Sequence, residues 1–217
     1  KPERSFGVEF GGYFRTKNNI ELDFSSYVTY LYNSFIRDDF TLSNGLSQIV
    51  YDGELSQIQA LQNSSRSFIY GIEFGANMLL NKNFRIKSQH NLTAGYELNE
   101  LPISMPVRHI PPNYGNFHFI FNKGNFTIDT YLMYNSEISF SKLAESERAK
   151  PYMYALDENG NPYSPSRMTF NVRSKYSFSK KLNINFTVEN ITNKLYRPYS
   201  SGISAPGLTF LFSVSYA

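Results

Sequence analysis

Strict alternation of apolar and polar residues constrains this chain more than any other feature, because it runs far past the roughly five or six residues of an average soluble strand. Phe6, Val8, Phe10, Gly12 and Phe14 share one phase, which Ile20, Leu22, Phe24, Ser26, Val28, Tyr30 and Tyr32 resume after a break. Glu9, Glu21, Asp23 and Asn33 hold the other phase. The pattern returns from Phe68 to Leu80 and from Phe84 to Tyr96, opposed by Gly71, Glu73 and Asn77 and then by Arg85, Lys87, Gln89 and Asn91. A shorter strand carries Phe117, Phe119 and Phe121, and its hairpin partner runs from Phe126 to Tyr134. The last three strands are read at Met168–Phe178, Leu182–Val188 and Leu208–Tyr216. Across the nine segments the apolar phase holds about fifty positions without one Asp, Glu, Lys or Arg, where the 18% charged composition would place about nine. A charge on a lipid-facing strand position at the bilayer midplane costs about 2–4 kcal/mol, which accounts for such a purge.

The connections alternate short and long. Thr16–Asn19, Asn81–Asn83, Lys123-Gly124 and Ser179–Lys181 are short; Asp38 to about Ser56, Leu98–Pro112, Ile138–Pro165 and Ile191–Pro206 are long. Short turns at one rim and long loops at the other build outer-membrane barrels, the short ones periplasmic. Gly124 supplies the positive φ that a two-residue hairpin demands, and Asn18, Asn19, Asn81 and Asn83 tolerate left-handed turns. The fold class is therefore all-β, an antiparallel up-and-down transmembrane β-barrel segment of nine strands, 1–217 forming one unit with no helix required. The first and ninth strands both run downward, which leaves the C-terminus periplasmic.

Composition narrows the alternatives. A mean hydropathy of -0.39 would suit a soluble protein, but lipid-facing and lumen-facing residues of a barrel average to the same value. No run approaches the 18 or so apolar residues of a transmembrane helix. Lys1-Pro2-Glu3-Arg4 does not open a signal peptide, so the start reads as mid-protein sequence. The absence of cysteine excludes disulfides, thiolate metal sites and a cysteine nucleophile. A net charge of +3, its cations scattered among 18 acids, gives no basic stripe for nucleic acid. A soluble all-β binding module also alternates, though its strands are usually shorter. A passive porin or structural barrel fits the pattern as well.

Particular residues carry a resemblance. Lys1-Pro2-Glu3-Arg4-Ser5 running into Val8-Glu9-Phe10-Gly11-Gly12, the strand Tyr70-Gly71-Ile72-Glu73, and Val107–Gly115 with Arg108, Pro111 and Pro112 resemble successive stretches of TonB-dependent outer-membrane receptors. The most specific stretch is Val188-Glu189-Asn190-Ile191-Thr192-Asn193-Lys194-Leu195-Tyr196-Arg197, followed by Ala205-Pro206-Gly207 and a strand ending in Tyr216. The resemblance implies the C-terminal part of a barrel of about 22 strands whose plug domain lies outside this chain. It implies uptake of a scarce nutrient such as a siderophore, haem, cobalamin or glycan, powered through the TonB complex. Outer-membrane lipid, the plug and remaining strands, and the barrel-assembly machinery are the other implied partners. Phe212 and Tyr216 would serve as the assembly signal, with Ala217 appended beyond the family's usual final aromatic.

Candidate ligand-binding residues lie in the long loops: Arg108, His109, Tyr152, Tyr154 and Tyr199, the tyrosines being suited to stacking on a flat ligand or sugar. Glu73, Arg85, Lys87, Arg173, Lys175 and Glu189 read as the lumen wall against which a plug docks. Of the three histidines only His109 is placed for ligand contact, and His90 falls in the lipid phase, where a satisfied or interfacial role is expected. Asp38-Asp39 and the group Glu145, Glu147, Asp157 and Glu158 lack calcium-loop spacing. No Gly-x-Ser-x-Gly elbow occurs and His109 has no evident acid partner, so neither a catalytic role, a metal nor a cofactor is expected. Thr169 lies in the polar phase opposite Val172 and should tolerate a charge that Val172 would not.

Overall fold

In the computed structural model, residues 2–17, 19–98 and 105–216 are described, apart from the side chains of residues 36–38 and 64–65. Nine long strands form one antiparallel sheet in chain order: β1 (Arg4–Arg15), β2 (Ile20–Asp39), β3 (Gln59–Leu79), β4 (Phe84–Glu97), β5 (Tyr114–Lys123), β6 (Phe126–Asn135), β7 (Arg167–Ser177), β8 (Leu182–Glu189) and β9 (Thr209–Tyr216). Each pairs with its sequence neighbours, so β1 and β9 are the two edges. Among the described residues no helix is long and apolar enough to cross a membrane.

The register keeps the two phases apart. Phe10 faces Ser26, Phe24 faces Phe74, Ile72 faces Leu92, Ile86 faces Phe119, Phe117 faces Leu132, and Val172 stands between Thr130 and Val188. Glu21, Asp23, Arg85 and Lys87 fall opposite Asn77, Gly75, Leu79 and Asn77, on the other face from Phe24 and Ile86. The apolar face is bare over much of its area, with Phe10 68% and Phe212 68% exposed. A soluble sheet would cover such a face; a barrel wall turns it to lipid.

Two strands outrun the bilayer. A tilted strand crosses the hydrocarbon in about 9–11 residues, whereas β2 has 20 and β3 has 21. The register slips between Leu31, Ser34 and Phe35, with Asn33 at φ 52°, and above that bulge the two strands form an arm tipped by the small hairpin Gln48–Tyr51 and Glu54–Gln57. The arm occupies part of the segment that alternation assigns to a loop, because the bulge shifts the phase. A second departure is helical. The connection after β6 carries the 3₁₀ turns Phe140–Lys142 and Pro151–Met153 and a one-turn helix, α1 (Glu145–Arg148).

Turn chemistry differs in detail from the sequence reading. Gly124 and Asn19 take positive φ (58° and 60°), while Asn81 caps its turn by accepting from the Asn83 and Phe84 amides at 2.9 and 3.1 Å. Asn18 lies outside the described residues. His90, within the apolar series, is buried between the rings of Phe74 and Phe117, and its Nδ1 sits 2.7 Å from the Tyr134 hydroxyl. Gly115 makes the room, since a Cβ there would stand 2.5 Å from His90 Nδ1. The pair thus satisfies a polar group that would otherwise cost about 1–3 kcal/mol to bury.

Candidate functional site

Long connections gather at one end of the sheet, and a buried carboxylate ties three of them together. Arg148 closes the helical turn: its Nε donates to the Phe140 and Leu143 carbonyls at 3.0 and 2.9 Å and its Nη2 to Ser141 O at 3.0 Å. That packing buries Leu143 and Ala144 and leaves Glu147 2% exposed. The Glu147 carboxylate accepts from the Tyr199 hydroxyl and from Ser200 Oγ at 3.0 Å, and His109 Nε2 lies 3.7 Å away. His109 and Ser200 both hold left-handed backbone, φ 63° and 57°. Such conformations cost a non-glycine residue on the order of 1–3 kcal/mol and persist where surrounding contacts over-determine them; Glu147 supplies those contacts.

Tyr154 packs beside this node, its ring centroid 6.4 Å from that of Tyr199, with a buried hydroxyl lacking a well-aligned partner. Burial, reinforced by the Glu147 charge, pushes both the Tyr154 and Tyr199 phenols well above their ordinary range. Arg197 Nη1 donates to the Tyr152 carbonyl at 3.0 Å, and Arg167 lies 4.3 Å over the Tyr196 ring. His109 therefore has an acid partner that sequence spacing did not reveal. The structure brings His109, Tyr154 and Tyr199 to one carboxylate and leaves Arg108 and Tyr152 exposed at the surface.

The node should weaken in alkali. A phenol held neutral in the folded state past about pH 10, where the unfolded chain ionises, stabilises the fold fully below that pH and progressively less above it. Loop opening, read by hydrogen exchange at residues 107–113, is expected to rise above about pH 10, and Tyr199→Phe should flatten that rise. Glu147→Gln, which removes the charged acceptor, should cost about 1.5–3 kcal/mol of loop stability at neutral pH. Unchanged protection in Glu147→Gln would show that the loops are held by other contacts.

Remaining carboxylates stay apart. Asp157 accepts from the Asn159 and Asn161 amides at 2.9 and 2.8 Å within its own turn, and those bonds, the Asn161 amide foremost, hold it below the usual carboxylate range. Among the described residues no cluster of three His, Cys, Asp or Glu side chains could hold a metal ion. Asp39 accepts from Gln59 at 3.3 Å, and the Asp38 side chain lies outside the described residues.

The polar face of the sheet is a network. Asn91 donates to Glu73 at 2.6 Å and accepts from Thr93, whose Oγ1 is 2.9 Å from the Tyr27 hydroxyl. Asn77 donates to Glu21 at 2.8 Å, and Arg15 lies 3.4 Å from the same carboxylate. His118, which sequence reasoning passed over, has Nδ1 2.9 Å from Asp129 and stacks on Tyr131, with Arg173 5.6 Å over the far ring. Arg85, Lys87 and Lys175 are exposed on this face and form no ion pair among the described residues; Glu189 is half-buried near Tyr131.

An up-and-down meander with one lipid-like face, one hydrogen-bonded polar face, short turns at one end and structured loops at the other is the wall of a large transmembrane β-barrel. The chain belongs to the TonB-dependent receptors: the "TonB dependent receptor-like, beta-barrel" family matches residues 1–191. Receptors of this family lie in the bacterial outer membrane. Among solved structures it is similar to the copper transporter OprC (TM-score 0.76, 17% identity, 100% of this chain and 31% of that one). It is similar also to the FrpB iron transporter from Neisseria meningitidis (TM-score 0.70, 16% identity, 100% and 31%). The ferric enterobactin receptor PfeA from Pseudomonas aeruginosa gives a TM-score of 0.68 at 14% identity, over 99% and 31%. The chain thus spans about a third of each. No curated protein sequence matches it.

Proposed function

We propose that this chain is the C-terminal portion of an outer-membrane receptor barrel of about 22 strands, which imports a scarce nutrient with energy delivered through the TonB complex. Family membership is the observation that carries this reading. Strands β1 and β9 are joined by the remainder of the receptor, since unpaired strand edges in hydrocarbon cost several kcal/mol per group. A plug docks on the polar face, where Glu73, Arg85, Lys87, Arg173, Lys175 and Glu189 offer charge. Phe212 and Tyr216, exposed on β9, form the assembly signal. Arg108 and Tyr152 contact the nutrient on a surface that Glu147 holds in shape through His109, Tyr154 and Tyr199. The relatives named for copper, iron and ferric enterobactin favour a metal or metal chelate over cobalamin or a glycan. The receptor carries no catalytic role in this reading.

Uptake assays in cells expressing the full-length receptor test it, with a panel of ferric chelates, haem, cobalamin and oligosaccharides. Uptake of one of them should saturate and should stop when TonB is deleted. Non-saturating uptake that survives TonB loss would establish a passive porin instead.

A further inference from the structure

Above the bulge the paired strands β2 and β3 leave the wall. Arg4–Tyr32 is the last pair that β1 makes with β2, and Ser67–Glu97 the last that β4 makes with β3. From Tyr32 to Asp39 the strand rises about 3.3 Å per residue, roughly 20 Å in all, so hydrocarbon does not account for apolar side chains at the tip. They are exposed all the same. Val50 and Leu55, cross-strand partners in the small hairpin, are 72% and 67% exposed, and Leu61 is 73% exposed. Apolar patches held in water mark contacts with another protein.

The arm has one sign of charge and one open edge. Residues 38–65 hold the acids Asp38, Asp39, Asp52 and Glu54 and no Lys, Arg or His, in a chain whose net charge is +3. Asp52 and Glu54 are exposed on either side of Gly53 at the tip, and neither forms an ion pair among the described residues. Ile58 turns both of its backbone groups inward, donating to Ser47 O at 2.8 Å and receiving the Phe40 amide at 2.9 Å. Antiparallel strands alternate such positions, so the backbone groups of Leu55, Gln57, Gln59 and Leu61 point to the opposite edge. No strand pairs with that edge among the described residues. The side chains of the same four residues are exposed, whereas Ile58 and Ala60 are half-buried. An unpaired edge of this kind is a template for an added strand.

We propose that the arm docks an extended basic polypeptide segment, which adds as a strand along residues 55–61. Main-chain hydrogen bonds to the outward groups supply affinity. The segment's apolar side chains cover Val50, Leu55 and Leu61, and its Lys or Arg side chains meet the acids of the arm, a complementarity that excludes acidic competitors. A sugar or a metal chelate uses neither a row of backbone groups nor an apolar ribbon. The proposal rests on the outer-membrane reading above, which puts the arm outside the cell.

The test uses the full-length receptor in phosphatidylcholine nanodiscs and two fluorescent peptides, one alternating lysine with valine and the other glutamate with valine. The basic peptide should bind about tenfold tighter than the acidic one, by a margin that shrinks as salt rises. Asp52→Lys combined with Glu54→Lys should remove the preference. Gln57→Pro deletes one outward amide, a change that an edge strand tolerates, and should weaken binding about tenfold, the equivalent of one lost hydrogen bond. Bound peptide should slow hydrogen exchange at the amides of Leu55, Gln57, Gln59 and Leu61. Equal affinity for the two peptides, or binding that leaves those amides unprotected, overturns the proposal. So does a Leu55→Cys receptor that resists a membrane-impermeant maleimide on intact cells, because the remainder of the receptor then covers the arm. Labelling at that position without peptide binding defeats this proposal alone; a receptor that never enters the outer membrane defeats the reading beneath it too.

Discussion

Val172→Arg is expected to block assembly of the receptor in the outer membrane, while Gln89→Arg leaves assembly close to wild type. Val172 lies mid-strand on the uncharged face of β7, between Thr130 and Val188. A guanidinium there costs about 2–4 kcal/mol at the midplane, against a total stability of roughly 5–15 kcal/mol. Gln89 carries the same change on the polar face, exposed between Gly75 and Asn116 on neighbouring strands. The fraction of receptor that is heat-modifiable in isolated outer membranes measures both. Equal losses would remove the assignment of Val172 to lipid. Thr169, the comparator that the alternation suggests, does not serve, because it is buried and its carbonyl accepts from Asn171 Nδ2 at 3.3 Å.

Thr169 illustrates where the sequence stops being legible. Alternation alone locates nine strands and sorts their faces, since one misplaced charge in lipid outweighs most local preferences. Phase says nothing about crowding within the polar face. Thr169 is 7% exposed with its carbonyl and hydroxyl turned to Asn171 Nδ2, whereas Gln89 stays open. The arm of β2 and β3 was hidden for a different reason: one extra residue in each strand, between Leu31 and Ser34 in β2 and between Asn63 and Ser65 in β3, shifts the phase, so residues beyond no longer alternate with those below.

The polar clusters were partly within reach. Lys123 pairs with Phe126, and each step up one strand is a step down the other, until His118 faces Tyr131 with Asp129 one diagonal away. A fixed two-residue turn therefore implies the His118–Asp129 contact. The Glu147 node has no such signal. Its members sit at His109, Glu147 and Tyr199–Ser200, in three connections whose approach is set by tertiary folding rather than by any period. Arg108, His109, Tyr154 and Tyr199 were nameable as loop candidates; Glu147 was visible only as one of four loop carboxylates, with no signal that it organises three of them.

The stretch that carries the family resemblance most specifically has a structural explanation with a large expected effect. Asn190 is 4% exposed, at φ 51°, where β8 ends. Its Nδ2 donates to the Lys194 and Pro206 carbonyls at 2.9 and 3.3 Å, and its Oδ1 accepts from the Lys194 amide at 2.9 Å. Its own amide donates to Asn171 Oδ1 at 2.8 Å, which locks the turn to β7. Asn193, at φ 50°, receives the Leu208 amide at 2.9 Å and so sets the start of β9. Asn190→Ala removes three side-chain hydrogen bonds of about 1 kcal/mol each and places a Cβ residue without a local polar partner in left-handed backbone, about 1–2 kcal/mol more. Asn190→Gly loses the same bonds but keeps the conformation at little cost. The expected order of stability is wild type, then glycine, then alanine, with the alanine variant roughly 3–5 kcal/mol below wild type. Thermal unfolding of the full-length receptor in detergent reads the order, and hydrogen exchange at Lys194 and Leu208 localises it. If alanine and glycine prove equal, the left-handed backbone contributes nothing at this position; if both match wild type, the turn is held by contacts other than Asn190.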